Sequence, residues 1–534
     1  MSQCQRKFCL RLIALLDKSQ EGYIRLASTR FAALASRTAK PRIGESNNAR
    51  CTYQDLEGVT QSQPGMDAPF DVAILGGGAS GVLVAIHLLQ AASGPLRIVI
   101  IEPRANLGQG VAYSTHCPEH LLNVIASRMS AFVDDPSHFV RFLSAAQDAT
   151  GVAADAIDLA RCFARRMDFG RYLLSTLQTA PRVDDVQWIQ DEAINLVRGN
   201  PYSIELKSGG MLSARNVVLA SGNDARPIPL PAGAIRGEPR TISAWDYAAV
   251  RGIERDADVC IIGSGLSMVD AVISMAEGGH RGRITVLSRH GLMPLSHARP
   301  GEQQGHVDEL LALGMRARLR LLRQRALEGE RNGAPWQWTM DAMRHHGQAL
   351  WQHSDAVERG RFLRHAGRFW DIHRHRIAPA VAARLEQLRS SGQLVVHAGH
   401  LRAIDSDTTA SRVRYRPRGA GHEEEIMAAC VVNATGIETA IAKTTRPLIN
   451  NLNARGVLRS GPQGLGIAAD RLGAVMDQYG NPDPGLLAIG ALRIGELWES
   501  IAIPELRVQA AEIAAHIVAQ LHLAPAPHPI EGST

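Results

Sequence analysis

The apolar residues of the chain gather in short unbroken runs, and several of those runs end in glycine. Phe70-Asp-Val-Ala-Ile-Leu75 reads as a buried strand running straight into Gly76-Gly-Gly78-Ala79-Ser80-Gly81. Val82 to Leu89 then takes helical spacing, and Arg97-Ile-Val-Ile-Ile101 predicts a second buried strand ending at Glu102. Together these form one complete βαβ unit. Gly76 permits the tight turn, Gly78 lets the backbone approach a pyrophosphate, and Gly81 lets the helix pack close to the strand. The helix N-terminus, with its unpaired N–H groups, then faces the phosphates. Glu102 lies 21 residues after Gly81, where a carboxylate accepts the hydroxyls of an adenosine ribose.

A second unit of the same kind follows nearly 190 residues later. Asp258-Val-Cys-Ile-Ile262 predicts a strand, Gly263-Ser-Gly265-Leu266-Ser267-Met268 the turn, Val269 to Met275 a helix, and Arg283-Ile-Thr-Val-Leu287 the next strand. Met268 stands where the third glycine would be, so helix and strand are expected to sit slightly further apart. The strand ends in Ser288-Arg289 instead of an acid. A carboxylate there would repel a 2′-phosphate, whereas a hydroxyl and a guanidinium hold one by charge-assisted hydrogen bonds. The first unit therefore predicts FAD and the second predicts NADPH in preference to NADH.

Two further runs, Val217-Val-Leu-Ala-Ser221-Gly222 and Val431-Val-Asn-Ala-Thr435-Gly436, close on a small hydroxyl and a glycine. Such endings suit the places where the chain passes between two nucleotide domains, although ordinary strand-loop junctions read the same way. Near the C-terminus, Gly485-Leu-Leu-Ala-Ile-Gly490 predicts a strand ending in glycine. Pro504 then opens a helix with Leu506, Ala510, Ile513, Ile517 and Leu521 on one face. The positive end of that helix dipole suits a reduced flavin.

The fold class that follows is α/β, with two Rossmann-like dinucleotide-binding domains, one for FAD and one for NADPH, and a helical insertion. Expected boundaries are a basic, unstructured arm over 1–65, the first part of the FAD domain over 66–240, and the NADPH unit over 241–300. An Arg/His-rich insertion over 301–390, the rest of the NADPH domain over 391–440, and a closing FAD segment over 441–534 complete the chain. Its 534 residues, 45% of them hydrophobic, suffice for several cores.

Charge changes the picture only at the two ends of this scheme. The net charge of +6 arises in residues 1–50, which hold 10 Lys/Arg against 3 Asp/Glu, while the rest is balanced at 48 against 49. A neutral body predicts no nucleic-acid partner. The arm resembles a transit peptide in composition, but a dispensable or mis-started arm, with Met66 as the real start, is the leading reading, ahead of a flexible tail and of targeting. No run of 18 apolar residues occurs, so no transmembrane helix is expected. The seven cysteines, Cys4, Cys9, Cys51, Cys117, Cys162, Cys260 and Cys430, are scattered without a C-x-x-C pair. That pattern fits a reducing cytoplasm and disfavours both a dithiol relay and structural zinc.

Between Arg299 and Arg376 stand 14 arginines, seven histidines and no lysine. One reading is a solvated helical face. The other is an anion, substrate or cofactor phosphate, held by planar bidentate donors. No carboxylate or cysteine recurs at ligand spacing, so no metal is expected there.

Several segments carry a resemblance to a known family. Asp71 to Gly81, Gly108-Gln-Gly-Val-Ala-Tyr113, Leu121-Leu-Asn123 through Met129-Ser130, Trp370 to Arg376, and Gly490 to Gln509 with Glu496-Leu-Trp498-Glu499 resemble bacterial FAD/NAD(P)-binding proteins. Those proteins are related to flavin-dependent N-hydroxylases and other two-dinucleotide-domain flavin monooxygenases. The resemblance implies that Gly76, Gly78, Ser80, Gly81 and Glu102 bind the adenosine and pyrophosphate of FAD. It also implies that Asn123 to Ser130, Met129 included, lies along the isoalloxazine. The chain departs from many class B monooxygenases in lacking a histidine before the second nucleotide fold, and in placing Ile437 after Ala-Thr-Gly.

The function expected is NADPH-dependent reduction of FAD followed by hydroxylation of a small amine-bearing or anionic substrate through a flavin hydroperoxide. A flavin reductase without oxygen insertion and a non-catalytic redox-nucleotide sensor are the competing classes. Spacing leaves substrate identity and oligomeric state open.

Overall fold

The computed structural model describes residues 60–61, 68–148, 156–238, 240–299, 301, 307–407 and 409–523. The basic arm, apart from two residues, lies outside them, as do Cys4, Cys9, Cys51 and the last eleven residues. Thr60 and Gln61, inside the stretch expected to be unstructured, pair in parallel with Gln187 and Trp188 at a sheet edge.

The first half is a parallel sheet between two apolar layers. Strand β1 (Phe70–Leu75) leads into helix α1 (Ala79–Ala91) and returns as β2 (Ile98–Ile101). Flanked by β3 (Val186–Ile189) and β4 (Met211–Leu219), these strands lie in the order β3-β2-β1-β4. Val72 and Ile74 point into the layer under α1, while Phe70, Ala73 and Leu75 point into the opposite one. Burial on both faces explains the absence of polar alternation in this run.

The second half repeats the plan. Strand β5 (Val259–Ile262), helix α2 (Leu266–Glu277) and strand β6 (Ile284–Ser288) form its βαβ unit. After the insertion, which ends in helix α3 (Gly367–Arg374), helix α4 (Pro379–Ser390) packs on α2 and delivers strand β7 (Leu394–Ser406) beside β6. Strand β8 (Cys430–Asn433) pairs with β5 on its other edge. Val259 and Ile261 face one core and Cys260 and Ile262 the other.

The chain then goes back to the first sheet. Strand β9 (Pro482–Ala488) pairs in parallel with β4, and helix α5 (Ile503–Leu523) lies against α1. The first half is thus built from both ends of the sequence, with the second half inserted between. Among the described residues no helix is long and apolar enough to cross a membrane.

Candidate dinucleotide-binding sites

At the first loop, Gly76 takes φ +117°, and a Cβ added there would sit 2.4 Å from the carbonyl oxygen of Ala220. Only glycine fits. A Cβ on Gly81 would lie 1.9 Å from the Gly76 oxygen, so the close helix-strand approach expected there is present. Helix α1 begins at Ala79 with Gly78 as N-cap, no side-chain cap and no acid in its first turn. Its first N–H groups, from Ala79, Ser80 and Gly81, are left for an anion. Gly78 and Gly110 approach so closely that a Cβ on either would meet the other's Cα at 3.4–3.5 Å. Gly490 closes the other side, its virtual Cβ 3.1 Å from Ser80 Oγ, and its N–H donates to Gln509 Oε1 at 3.1 Å.

Glu102 is locked beside this loop. Its Oε2 accepts the N–H of Gly77 at 2.8 Å and its Oε1 the N–H of Arg104 at 3.1 Å. Each oxygen keeps a lone pair for a ribose hydroxyl. The donor set, the bare helix end and the narrow cradle fit the adenosine diphosphate half of FAD.

The stretch from Asn123 to Ser130 is held by its surroundings. The Asn123 carbonyl accepts from His297 Nε2 at 2.9 Å, and Met129 is buried. Ser130 is fully buried; its hydroxyl donates to the Asp135 carbonyl at 2.6 Å and accepts from Phe132 N–H at 3.1 Å. That hydroxyl shapes the turn and has no proton left for a ligand.

The second loop matches the first. Gly263 takes φ +108°, and its virtual Cβ would sit 2.3 Å from the Ala434 oxygen. Gly265 caps α2, again with no side-chain cap and no acid in the first turn. Leu266 and Ser267 are half-buried at that end, and Ser267 Oγ accepts from Trp245 Nε1 at 3.1 Å. Met268 is fully buried in the core below. At the end of β6 the Ser288 hydroxyl lies 2.8 Å from Ser264 Oγ and accepts the Gly291 N–H at 3.1 Å. Arg289 is exposed and its side chain has no partner among the described residues. Burial and then the charges of Arg418, Arg289 and Arg368 push the neighbouring His290 down to about 4. This corner is strongly positive where the first holds a carboxylate, and it fits a 2′-phosphate.

Arg368, from α3, completes the second loop: its guanidinium donates to the Ser264 carbonyl at 2.9 Å and the Leu292 carbonyl at 2.8 Å. Sequence pattern singles out the arginine-rich segment but not this residue, because contact across about 100 positions leaves no local signal. The solvated-face reading fails for Arg318, Arg344, Arg374 and Arg376, all buried. Arg318 spends its donors on the Leu310 and Leu350 carbonyls, and Arg374 grips Glu499 through both carboxylate oxygens. The insertion is thereby fastened to the closing segment, where Trp498 stacks on Trp351 at 4.8 Å.

Both loops border one hinge. The connection leaving β4 runs past Gly76, the connection leaving β8 runs past Gly263, and the two meet as an antiparallel pair, Asp224–Ala225 with Ile437–Glu438. Asn433 Nδ2 and Thr435 Oγ1 both donate to the Arg226 carbonyl, at 2.9 and 2.8 Å. Arg166 of the first half also reaches Asp270 on α2 at 2.7 Å, with both side chains nearly buried. His120 Nε2 lies 2.9 Å from the Asp270 carbonyl, which can only accept, so Nε2 carries the proton and Nδ1 accepts from Thr115 Oγ1 at 2.8 Å. Burial keeps this ring neutral. Tyr247 OH, from the second half, donates to Val111 O at 3.2 Å in the loop beside Gly110.

Comparison with known proteins agrees with this architecture. Residues 73–224 match the family of FAD-NAD(P)-binding domains. A Baeyer-Villiger monooxygenase, ATR8, of Stachybotrys chlorohalonatus is 25% identical over 262 residues, 46% of this chain. The match spans 39% of that protein, about two fifths of its length. Among solved structures, the ornithine N-hydroxylase of Kutzneria sp. 744, bound to reduced FAD, NADP+ and L-ornithine, superposes with a TM-score of 0.60. It is 14% identical, over 85% of this chain and all of that one. DfoA, the cadaverine monooxygenase of Erwinia amylovora bound to FAD, gives 0.59 at 11% identity, over 88% of this chain and 98% of that one. The chain has the fold of these two-dinucleotide-domain flavoenzymes, with a FAD-NAD(P)-binding domain over residues 73–224.

Proposed function

We propose that this protein is a FAD-dependent, NADPH-consuming monooxygenase that hydroxylates a small amine-bearing or anionic substrate. The observation that carries this reading is the pair of matched phosphate cradles at Gly76 and Gly263, both opening beside the ribbon formed by Asp224–Ala225 and Ile437–Glu438. Two cradles so joined bring a resident and a visiting dinucleotide to one cleft. Their opposite corners, Glu102 and Ser288-Arg289, sort FAD to the first and NADPH to the second.

FAD held at the first cradle would supply the redox chemistry linking NADPH to oxygen. The protein's own residues bind and orient the dinucleotides. The bare N-termini of α1 and α2 hold the two pyrophosphates, Glu102 fixes the adenosine ribose, and Arg289 reads the 2′-phosphate. Arg166, Asp270 and His120 clamp the two halves, so that reacting groups are held at a fixed spacing, which is where much of the rate gain in such a reaction lies. The helices of the insertion are tied to the closing segment by Arg374 and Glu499 and to the second loop by Arg368.

The test is direct. Purified protein should be yellow, and NADPH oxidation should consume oxygen with little free peroxide once a substrate is present. A colourless protein that takes up no FAD sinks the proposal. Peroxide released in full with every candidate amine and acid would assign a flavin reductase instead.

A further inference from the structure

The positive corner at the end of β6 is built from more than its own strand. Ser288 stands in parallel register with Ala398 of β7. The next strand (Ser411–Pro417) runs back antiparallel along β7, with Gly399 opposite Pro417 and His400 opposite Arg416. One step past that ladder, the Arg418 N–H donates to the Ala398 carbonyl at 2.8 Å. Ser288, Ala398 and Arg418 therefore lie in one row across three chain segments. Residues opposite one another in an antiparallel pair share a face of the sheet, as do alternate residues of one strand. Arg418 thus leaves the sheet on the side of Ala398 and His400. The corner loop packs on that same side, since a Cβ added to Gly291 would sit 3.1 Å from Ala398 Cβ.

The charges of these elements meet at the corner. Among the charged groups that bear on His290, Arg418 comes first, followed by Arg289, Arg368 and His400, and none of these is an acid. Other arginines of the hairpin are paired: Arg402 lies 3.8 Å from Glu423, Arg412 3.5 Å from Glu425, and Arg414 3.0 Å from Asp405. Arg418 is exposed, and its guanidinium, like that of Arg289, has no partner among the described residues. Arg368 differs, because its donors go to the Ser264 and Leu292 carbonyls. His290 Nδ1 is buried at the same corner without a hydrogen-bond partner. Two unengaged guanidiniums, brought to one loop by separate strands, repel each other, and an anion shared between them would turn that repulsion into attraction.

We propose that Arg418 is a second reader of the 2′-phosphate of NADPH, closing on it from the hairpin while Arg289 closes on it from the end of β6. This rests on the assignment of NADPH to the second cradle and adds to it a specificity-determining residue that no local motif marks. A phosphate monoester offers three acceptor oxygens, so two planar forks can approach it from different sides, each with paired N–H donors. NADH, which lacks that phosphate, leaves the two arginines facing each other with nothing between them. Coenzyme preference is therefore set by the pair and not by the β6 corner alone.

The experiment uses the FAD-loaded protein, so that the first cradle is filled and no turnover is required. Calorimetric titration is run with 2′,5′-ADP and with 5′-AMP, two probes that differ only in the 2′-phosphate. The wild type should prefer 2′,5′-ADP. Arg418→Ala should weaken 2′,5′-ADP by roughly tenfold, as loss of a charge-assisted pair implies, and leave 5′-AMP unchanged. Arg418→Lys should recover part of the loss, since it keeps the charge without the fork. The double variant, Arg289→Ala with Arg418→Ala, should bind both probes equally. Because the Arg418 side chain is exposed and unpaired among the described residues, the melting temperature without ligand should not change in any of these proteins. If Arg418→Ala weakens both probes alike, or if only Arg289→Ala removes the preference, Arg418 is no reader and the NADPH assignment stands without it. A wild type that binds the two probes equally overturns the NADPH assignment and this inference together. A protein that prefers 2′,5′-ADP through both arginines yet consumes no oxygen with NADPH would overturn the monooxygenase reading and leave this site standing.

Discussion

Gly76 and Gly263 occupy the same place in two different sheets: each turns through positive φ, and each presses its Cα against the carbonyl of a strand that leaves its sheet for the hinge. The equivalence separates the two cofactors experimentally. An added methyl has no room at either position and imposes strain of about 1–3 kcal/mol before any clash is counted.

Gly76→Ala should therefore lower FAD occupancy by roughly tenfold or more. Gly263→Ala should leave a yellow protein that no longer binds NADPH. Absorbance at the flavin band and NADPH titration by fluorescence distinguish the two. Loss of flavin in both variants would show that the loops do not serve separate ligands.

At the positive corner, Arg289→Ala should raise the KM for NADPH by about tenfold and change that for NADH little, since an exposed charge-assisted bond is worth about 1.5–3 kcal/mol. Among the described residues the Arg289 side chain pairs with nothing else, so the fold should not suffer. Equal effects on both coenzymes would remove the 2′-phosphate assignment.

The pair joining the insertion to the closing segment invites a stability test. Glu499→Gln leaves Arg374 buried opposite a neutral group and should cost about 3 kcal/mol, read as a lower melting temperature. Replacing both partners, Arg374→Met with Glu499→Leu, should recover most of that loss, because the uncompensated charge is then gone.

Stability should also fall as the solution is acidified from neutrality. His290, His297 and His375 are held near 4, in each case chiefly by burial, with Arg418, Arg376 and Arg374 respectively as the next cause. Unfolded histidines titrate near 6.5. Between those values the unfolded chain binds protons that the folded one refuses, so stability present above about 6.5 is lost toward 4. Asp371, raised to about 6 by burial, works the other way, as do Glu330, Glu496 and Glu505, but burial also lowers His87, His120, His138, His280, His345 and His373, so the histidines outnumber the raised acids. Melting temperatures at pH 7 and pH 5 check the net sign; a higher value at pH 5 would contradict it.

Much of the framework is legible in the residue pattern. Apolar runs without alternation, each ending in glycine, identify β1 and β5 because both faces of those strands are covered, and the loop glycines follow from the turn they must make. The hinge is also readable, since Ala-Ser-Gly and Ala-Thr-Gly each place a small residue and a flexible one where strand gives way to crossing. What stays hidden is whatever depends on distant contact. Arg368, Arg344 and the Arg374–Glu499 pair belong to a segment whose composition suggests a solvated surface, and only packing against α5 and the second loop shows which arginines turn inward. Thr60 and Gln61 are missed for a similar reason, as two residues carry no period.

Because β9 and α5 supply the last strand and the covering helix of the first half, the order of synthesis matters. The second half, contiguous between the two passages of the hinge, has all its strands once residue 433 has left the ribosome. The first half must wait, with β4 exposed along one edge, for about fifty further residues. A nascent chain halted before residue 482 would carry all the strands of the second sheet and an open first sheet, so β9 and α5 are the last pieces to close the first half.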